Sequence, residues 1–223
     1  MLFYDVETTG LPDFSLPARA HERQPGVAQL AAVMVDENRR IRGAIDLIFR
    51  QPDTVIVTEG ATKIHGIGRE QMGAYGVSPQ LAVRAFIEML DRCTKLCAHN
   101  QKFDQKMMRI EMHRNSYGYW AEKLRDFPVD CTMELSDAIM KMAPTERMIA
   151  AGFTKSKPPK LEEAYKHFTG NDMRNAHNAW ADVMATIEIH TIIAQQMGRA
   201  ASREENGGVR SGHGEPGGSG EIS

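Results

Sequence analysis

Residues 2–10 read Leu-Phe-Tyr-Asp-Val-Glu-Thr-Thr-Gly, a short apolar, aromatic-rich run stopped by two threonines and a glycine. The pattern is that of a strand over Leu2–Val6 followed by a turn. Residues two apart on a strand share a face, so Asp5 and Glu7 project together while Val6 points the other way, into the core. Pro12, Pro17 and Pro25 then break the chain into an exposed loop over Leu11–Pro25. Val27–Val35 (VAQLAAVMV) reads as a buried strand, Asp36-Glu37-Asn38 as a turn, and Ile41–Phe49 as the returning hairpin partner. Three antiparallel strands therefore come first.

Helical signals follow. Ser78-Pro79 is an N-cap with proline at the first helical position, ahead of Leu81, Ala85, Phe86, Met89 and Leu90 at helical spacing. Lys95–Ala98 is a short strand, Gln101–His113 a helix, and Phe127–Val129 a last short strand. Helices are expected over Thr132–Lys141, Leu161–Phe168 and Asn178–Met197. A hairpin first, then alternating strand and helix, predicts an α/β domain with one mixed sheet.

At 223 residues the chain has room for one domain with a sizeable core. Hydrophobic residues at 42% and charged residues at 25% are a globular composition. A formal net charge of −2 argues against non-specific coating of nucleic acid, which needs a strongly basic surface. Cys93, Cys97 and Cys131 are odd in number and form no C-x-x-C pair, which fits a reducing compartment. No apolar run approaches the roughly 18 residues of a membrane span, and no signal peptide precedes the first strand. The expectation is a cytoplasmic protein with no membrane association. From Arg199 the composition turns to Gly, Ser, Glu and Arg, too poor in aliphatics to offset its ordering entropy. The domain is therefore drawn over residues 1–198 and a disordered Gly/Ser-rich tail over 199–223.

Three segments carry chemistry, and each is ambiguous alone. Asp5 and Glu7 at the end of an apolar strand are either a solvated strand end or half of a cation site. Asp104, in His99-Asn100-Gln101-Lys102-Phe103-Asp104, is either a first-turn acid favoured by the helix dipole or a site residue at a sheet edge. His177 and Asp182 lead into the last long helix, where a histidine is usually a cap or a packed residue. Together they supply four carboxylates and one imidazole. Carboxylates 4–6 Å apart repel by about a few kcal/mol per close pair at an effective dielectric near 20. Two Mg²⁺ or Mn²⁺ ions would remove that conflict, and hard oxygen ligands suit those metals. Such a pair is the known clamp for in-line phosphodiester displacement, with His177 suited to take the proton from the attacking water.

These segments, FYDVETTGL, AHNQKFD and HNAWADVMAT, resemble the three motifs of the DEDDh exonucleases, the epsilon-like proofreading 3′→5′ exonuclease family. PGVAQLAAVMVD, ATKIHGI and KLEEAYKHFTG extend the likeness, which covers about Leu2 to Ala194. The long insert before Val27 and the Met1 start look most like small stand-alone phage and bacterial members. The resemblance implies an RNase H-like fold, a mixed five-stranded sheet flanked by helices, with residues 1–198 as the exonuclease domain. It implies metal binding by Asp5, Glu7, Asp104 and Asp182, with two Mg²⁺ or Mn²⁺ ions as cofactors and His177 as general base. It places the backbone of Thr8, Thr9 and Gly10 against the terminal nucleotide and Leu11 as an apolar wedge against the terminal bases. Asn100 and Phe103 match substrate-contacting positions, and His65 matches one close to the terminal nucleotide. The implied activity releases nucleoside 5′-monophosphates from single-stranded DNA or frayed 3′ ends, with a polymerase or other replication protein as a partner.

The alternatives are a 3′-trimming exoribonuclease of the same family and a non-catalytic module that binds a polymerase or a nucleic-acid end. Nothing in the motifs separates DNA from RNA, and nothing speaks to oligomeric state. The Leu11–Pro25 loop departs from relatives, so the groove rim cannot be carried over. Asp130-Cys131-Thr132 departs less, with cysteine where a direct Asp-Thr is common. Lys102, Lys106 and Arg109 form a basic helical stripe, read as a solvated face or as a track for phosphates. Trp180 is expected in the core rather than stacked on a base, and Met107, Met108 and Met112 as adaptable core.

Overall fold

Five strands, β1 (Leu2–Thr8), β2 (Val27–Val35), β3 (Ile41–Ile48), β4 (Leu96–Ala98) and β5 (Val129–Cys131), form one sheet in the order β3-β2-β1-β4-β5. The structure, a computed structural model, describes residues 1–207, with side chains through residue 199. β1 pairs antiparallel with β2 and parallel with β4, so the expected mixed sheet is present, with β1 at its centre. Around it run α1 (Glu59–His65), α2 (Arg69–Tyr75), α3 (Pro79–Leu90), α4 (Gln101–Arg114), α5 (Gly118–Arg125), α6 (Thr132–Met140), α7 (Glu146–Ala150), α8 (Leu161–Thr169) and α9 (Ala179–Gly207).

Alternation along β1 builds both layers. Leu2, Tyr4 and Val6 face α3, α4 and α5 in the larger core, where Phe86, Met107, Met108 and Leu124 are fully buried. Phe3 faces the other way with Ala31, Val33 and Cys97, under Ala179 and Val183 of α9. β2 is apolar nearly throughout because both its faces are covered. Ser78 accepts from the Leu81 N–H at 3.3 Å and starts α3 as its cap.

The structure moves several boundaries. β1 continues to Thr8, and β5 begins at Val129 rather than ending there. The short helices α1, α2, α5 and α7 leave no clear signal in the sequence, since about two turns do not repeat an apolar stripe often enough to show one. α9 is helical through Gly207, past the boundary drawn at residue 198. The rest of the expected tail, 208–223, lies outside the described residues. The three cysteines are free, as expected. Among the described residues no helix is long and apolar enough to cross a membrane.

Candidate active site

The site sits at the C-terminal end of β1, where α4 arrives from one layer and α9 from the other. Asp5 and Glu7 share the face of β1 turned towards α9, as their spacing requires. Asp104, in the first turn of α4 and almost fully buried, accepts from the Val6 N–H at 3.1 Å, which ties α4 to β1 between the two acids. Asn100 precedes α4 in the left-handed region (φ 63°), a conformation asparagine tolerates well, and so redirects the chain from β4 into the helix. At α9, Gln29 of β2 accepts from the Ala179 N–H at 3.2 Å and donates to Asp46 at 2.7 Å. This buried amide seats the start of the helix that carries Asp182.

His177 also adopts a left-handed backbone (φ 65°). That bend brings its ring back to Asp182 despite the five-residue offset. Ligand-capable atoms of Glu7, His177 and Asp182 lie within 4.8 Å of one another. The His177 ring is half-exposed, with Nε2 at 3.7 Å from a carboxylate oxygen of Glu162 in the first turn of α8. Neither Glu162 nor Gln29 was singled out from the sequence. The only hint of Glu162 was an acid at a helix start, a feature common in ordinary helices.

Asp5, Glu7, Asn100, Phe103, Asp104, His177 and Asp182 line one cavity of about 310 Å³, together with His99, Lys160 and Glu162. His99 donates from Nε2 to the Pro159 carbonyl at 3.0 Å and places Nδ1 at 3.0 Å from the Thr132 hydroxyl. It thereby fixes the start of α8 against the β4–α4 turn. A second, mainly apolar slot of about 440 Å³ adjoins, lined by Thr8, Gly10, Leu11, Ile64 and His65, with Glu7, Phe103 and His177 as walls common to both. His65 donates from Nε2 to the Thr8 carbonyl at 3.0 Å and accepts the Ile67 N–H on Nδ1 at 3.1 Å, so its ring is neutral.

Thr9 lines neither space. Its N–H goes to the Gly26 carbonyl (2.8 Å), its hydroxyl accepts from the Gly26 N–H (2.9 Å), and its carbonyl accepts from Thr58 (2.9 Å). The backbone of Thr9, expected against a nucleotide, is engaged within the protein, by Gly26 at the entry to β2 and by Thr58 at the cap of α1. The basic stripe is likewise taken. Lys102 pairs with Glu134 at 3.1 Å, Lys106 binds the Leu16 carbonyl, and Arg109 binds the Ala121 carbonyl (2.9 Å) and Glu122 (3.3 Å).

The electrostatics are those of a site built for cations. Burial pushes the Glu7 carboxyl up to about 7, with Asp182 adding to the rise. Burial also raises Asp182 to about 7, against the favourable N–H of His177, and Glu162 adds to it. Asp5 and Asp104 are held well above the usual carboxylate range, first by burial and then by their acidic neighbours, while the Val6 N–H opposes the rise at Asp104. Asp182 Oδ1 is buried with no donor among the described residues. Desolvated acids that repel one another, one with an idle oxygen, are what divalent oxygen-seeking cations resolve, so the residues present fit such ions.

The sequence profile of the RNase_T family, described as exonuclease, matches residues 2–190. Exodeoxyribonuclease I of Escherichia coli is 26% identical over 205 residues, covering 89% of this chain and 40% of that protein. The crystal structure of E. coli Exonuclease I in complex with a dT13 oligonucleotide superposes with a TM-score of 0.68 at 24% identity, covering 91% of this chain and 42% of that one. The zinc-bound form of the E. coli Exonuclease I–ssDNA complex gives a TM-score of 0.67 at 24% identity, with 92% and 42% covered. The chain thus spans about two fifths of the length of these relatives, and the solved structures bear out the RNase H-like exonuclease fold.

Proposed function

Because the chain belongs to the RNase_T family of exonucleases, we propose that it is a divalent-metal-dependent 3′→5′ exonuclease that releases nucleoside 5′-monophosphates from single-stranded DNA. The observation that carries this reading is the common wall of Glu7, Phe103 and His177 between a carboxylate-lined cavity and an apolar slot. One space suits a phosphodiester among cations and the other a terminal base and sugar. The oligonucleotides bound by the related Exonuclease I favour DNA over RNA as the polymer.

Asp5, Glu7, Asp104 and Asp182 would hold two Mg²⁺ or Mn²⁺ ions, which when bound supply the charge that activates water and stabilises the leaving oxygen. His177, half-exposed beside Glu7 and Asp182, takes the proton of the attacking water. Glu162, at 3.7 Å, steadies the imidazole and offsets the positive charge it gains. Leu11, Ile64 and Phe103 bury the terminal base, and the His65–Thr8 hydrogen bond holds the floor of that slot in place. Asn100, at the mouth of the carboxylate cavity, is placed to contact the incoming strand.

The test uses 5′-labelled DNA and RNA of identical sequence, incubated with Mg²⁺, Mn²⁺ or EDTA, with Asp182→Ala run alongside. The expected result is a metal-dependent ladder shortening DNA from its 3′ end and absent in the variant. A ladder on RNA alone would transfer the activity to the other polymer. No shortening of either by a folded protein would overturn the reading.

A further inference from the structure

Glu111 and Arg114 lie towards the far end of α4 from Asp104 and belong to neither cavity. The Glu111 carboxylate has 0% exposure. Its Oε1 accepts from Arg114 (2.6 Å), from Gln51 Nε2 (2.6 Å) and from the Val27 N–H (2.9 Å), and Oε2 accepts from Asn115 (3.2 Å). Arg114 turns its other amino group onto three carbonyls, those of His21 (2.7 Å), Gln24 (2.9 Å) and Pro25 (3.1 Å). A buried ion pair is tolerated when its remaining donors and acceptors are filled; Gln51, Val27 and Asn115 fill those of Glu111, and a single loop fills those of the second Arg114 amino group.

That loop is the Leu11–Pro25 insertion. Beyond it Gly26 exchanges two hydrogen bonds with Thr9, and the Gln24 amide pairs with both the N–H and the carbonyl of Asp13 at 2.9 Å each. Gly10 and Leu11 are therefore gripped on either side, although Leu11 itself is 87% exposed. Gly26 leaves no space for looseness, since a Cβ there would meet the Gln51 amide at 2.8 Å. Leu11 stands between the apolar slot and a further groove of about 250 Å³ walled by Arg23, Gln24, Pro25 and Ile56.

We propose that Glu111 and Arg114 are positioning residues for the exonuclease reaction, fixing Leu11 and the Arg23–Pro25 wall relative to the carboxylates so that a strand seats in register. This rests on the function proposed above. α4 is the ruler: Asp104 near one end and the ion pair near the other are separated by about 10–15 Å of rigid helix. Neither residue touches substrate.

Arg114→Met tests the pair. Glu111→Gln/Arg114→Met removes both buried charges at nearly constant volume, and Gln24→Ala cuts the loop's link to Asp13 while leaving Glu111 and Arg114 in place. Each is assayed with Mn²⁺ on a 5′-labelled oligodeoxythymidylate and on the p-nitrophenyl ester of thymidine 5′-monophosphate, which reaches only the terminal site. Oligonucleotide affinity is measured by anisotropy, and the folded state is checked by thermal melting. The expected result is a rise of about tenfold in oligonucleotide KM and Kd, with kcat on the small ester unchanged. Equal losses of kcat on both substrates in folded variants would show a merely structural role, acting through Asp104, and would overturn the proposal. Unchanged kinetics in the double variant and in Gln24→Ala would overturn it too. A wild-type protein that binds the oligonucleotide without cutting it would sink the hydrolytic reading while leaving the affinity arm to decide the clamp. One that neither binds nor cuts would remove both.

Discussion

Asp182 is under two unfavourable influences in the metal-free fold: it is nearly buried, and Glu162 lies close enough to raise its carboxyl further. Its pKa moves from the ordinary 3.8 to about 7, so the folded state keeps a proton that the unfolded chain has already lost. Stability is therefore highest below about pH 4 for this group and falls as pH rises towards 7. Asp182→Asn should abolish turnover, by about a thousandfold or more. The same change should stabilise the metal-free protein at pH 8 by on the order of 1–3 kcal/mol, with little effect at pH 4. Melting both proteins in EDTA at the two pH values checks this, and a variant less stable than wild type at pH 8 would contradict it. All four acids and His177 were legible as residue types because D-x-E on a strand and H-x₄-D into a helix are local patterns. Glu162 was not, because its relevance comes only from the approach of α8 to His177.

At the scale of elements, junctions matter more than the elements they join. Asn100 (φ 63°) lets α4 start at once after β4, and this turn points Asp104 at β1. A β-branched side chain is strained there, so Asn100→Val should cost about 1–2 kcal/mol in urea denaturation while Asn100→Gly stays near neutral. α1 serves a different purpose. Its Thr58 cap accepts from the Ala61 N–H at 3.3 Å, and the helix delivers His65 to the Thr8 carbonyl at 3.0 Å. His65→Ala should raise the oligonucleotide KM about tenfold with a smaller change in kcat, read from steady-state rates; a loss confined to kcat would instead place His65 in the chemistry. β2, the hairpin, α3 and α4 were readable because each carries a long apolar period or a cap with proline. α1 and α2 have no such stripe: α1 is held by Thr58 and His65 on the end of β1, and α2 by Arg69 on the carbonyls of the segment after β3 and by the burial of Met72 against Ala28 and Ile67.

For the whole molecule, charge balance and metal occupancy set the behaviour in solution. With a net charge of −2, and with Lys102, Lys106 and Arg109 each paired with an acid or a carbonyl, the α4 stripe is not a free basic track for a strand. The log–log salt dependence of single-strand binding should be no steeper than about −2, at about 0.7 per phosphate neutralised. Anisotropy titrations across NaCl concentration would expose a hidden basic track as a steeper slope. Glu7 and Asp182 both rise to about 7, so Mn²⁺ should raise the melting temperature more at pH 8 than at pH 5, where protons already quiet the site. The α/β order and the apolar, doubly covered β2 are written in the sequence, which also singles out the five motif residues, because periodicity and spacing are local and survive in one dimension. Packing alone reveals that Thr9 is engaged within the protein, that the basic stripe is not free, and that Arg114, paired with Glu111, fastens the insertion beside Leu11. Those outcomes depend on which hydrogen-bonding groups remain unpartnered once distant segments pack, and partners 60 to 90 residues away in the chain leave no local pattern.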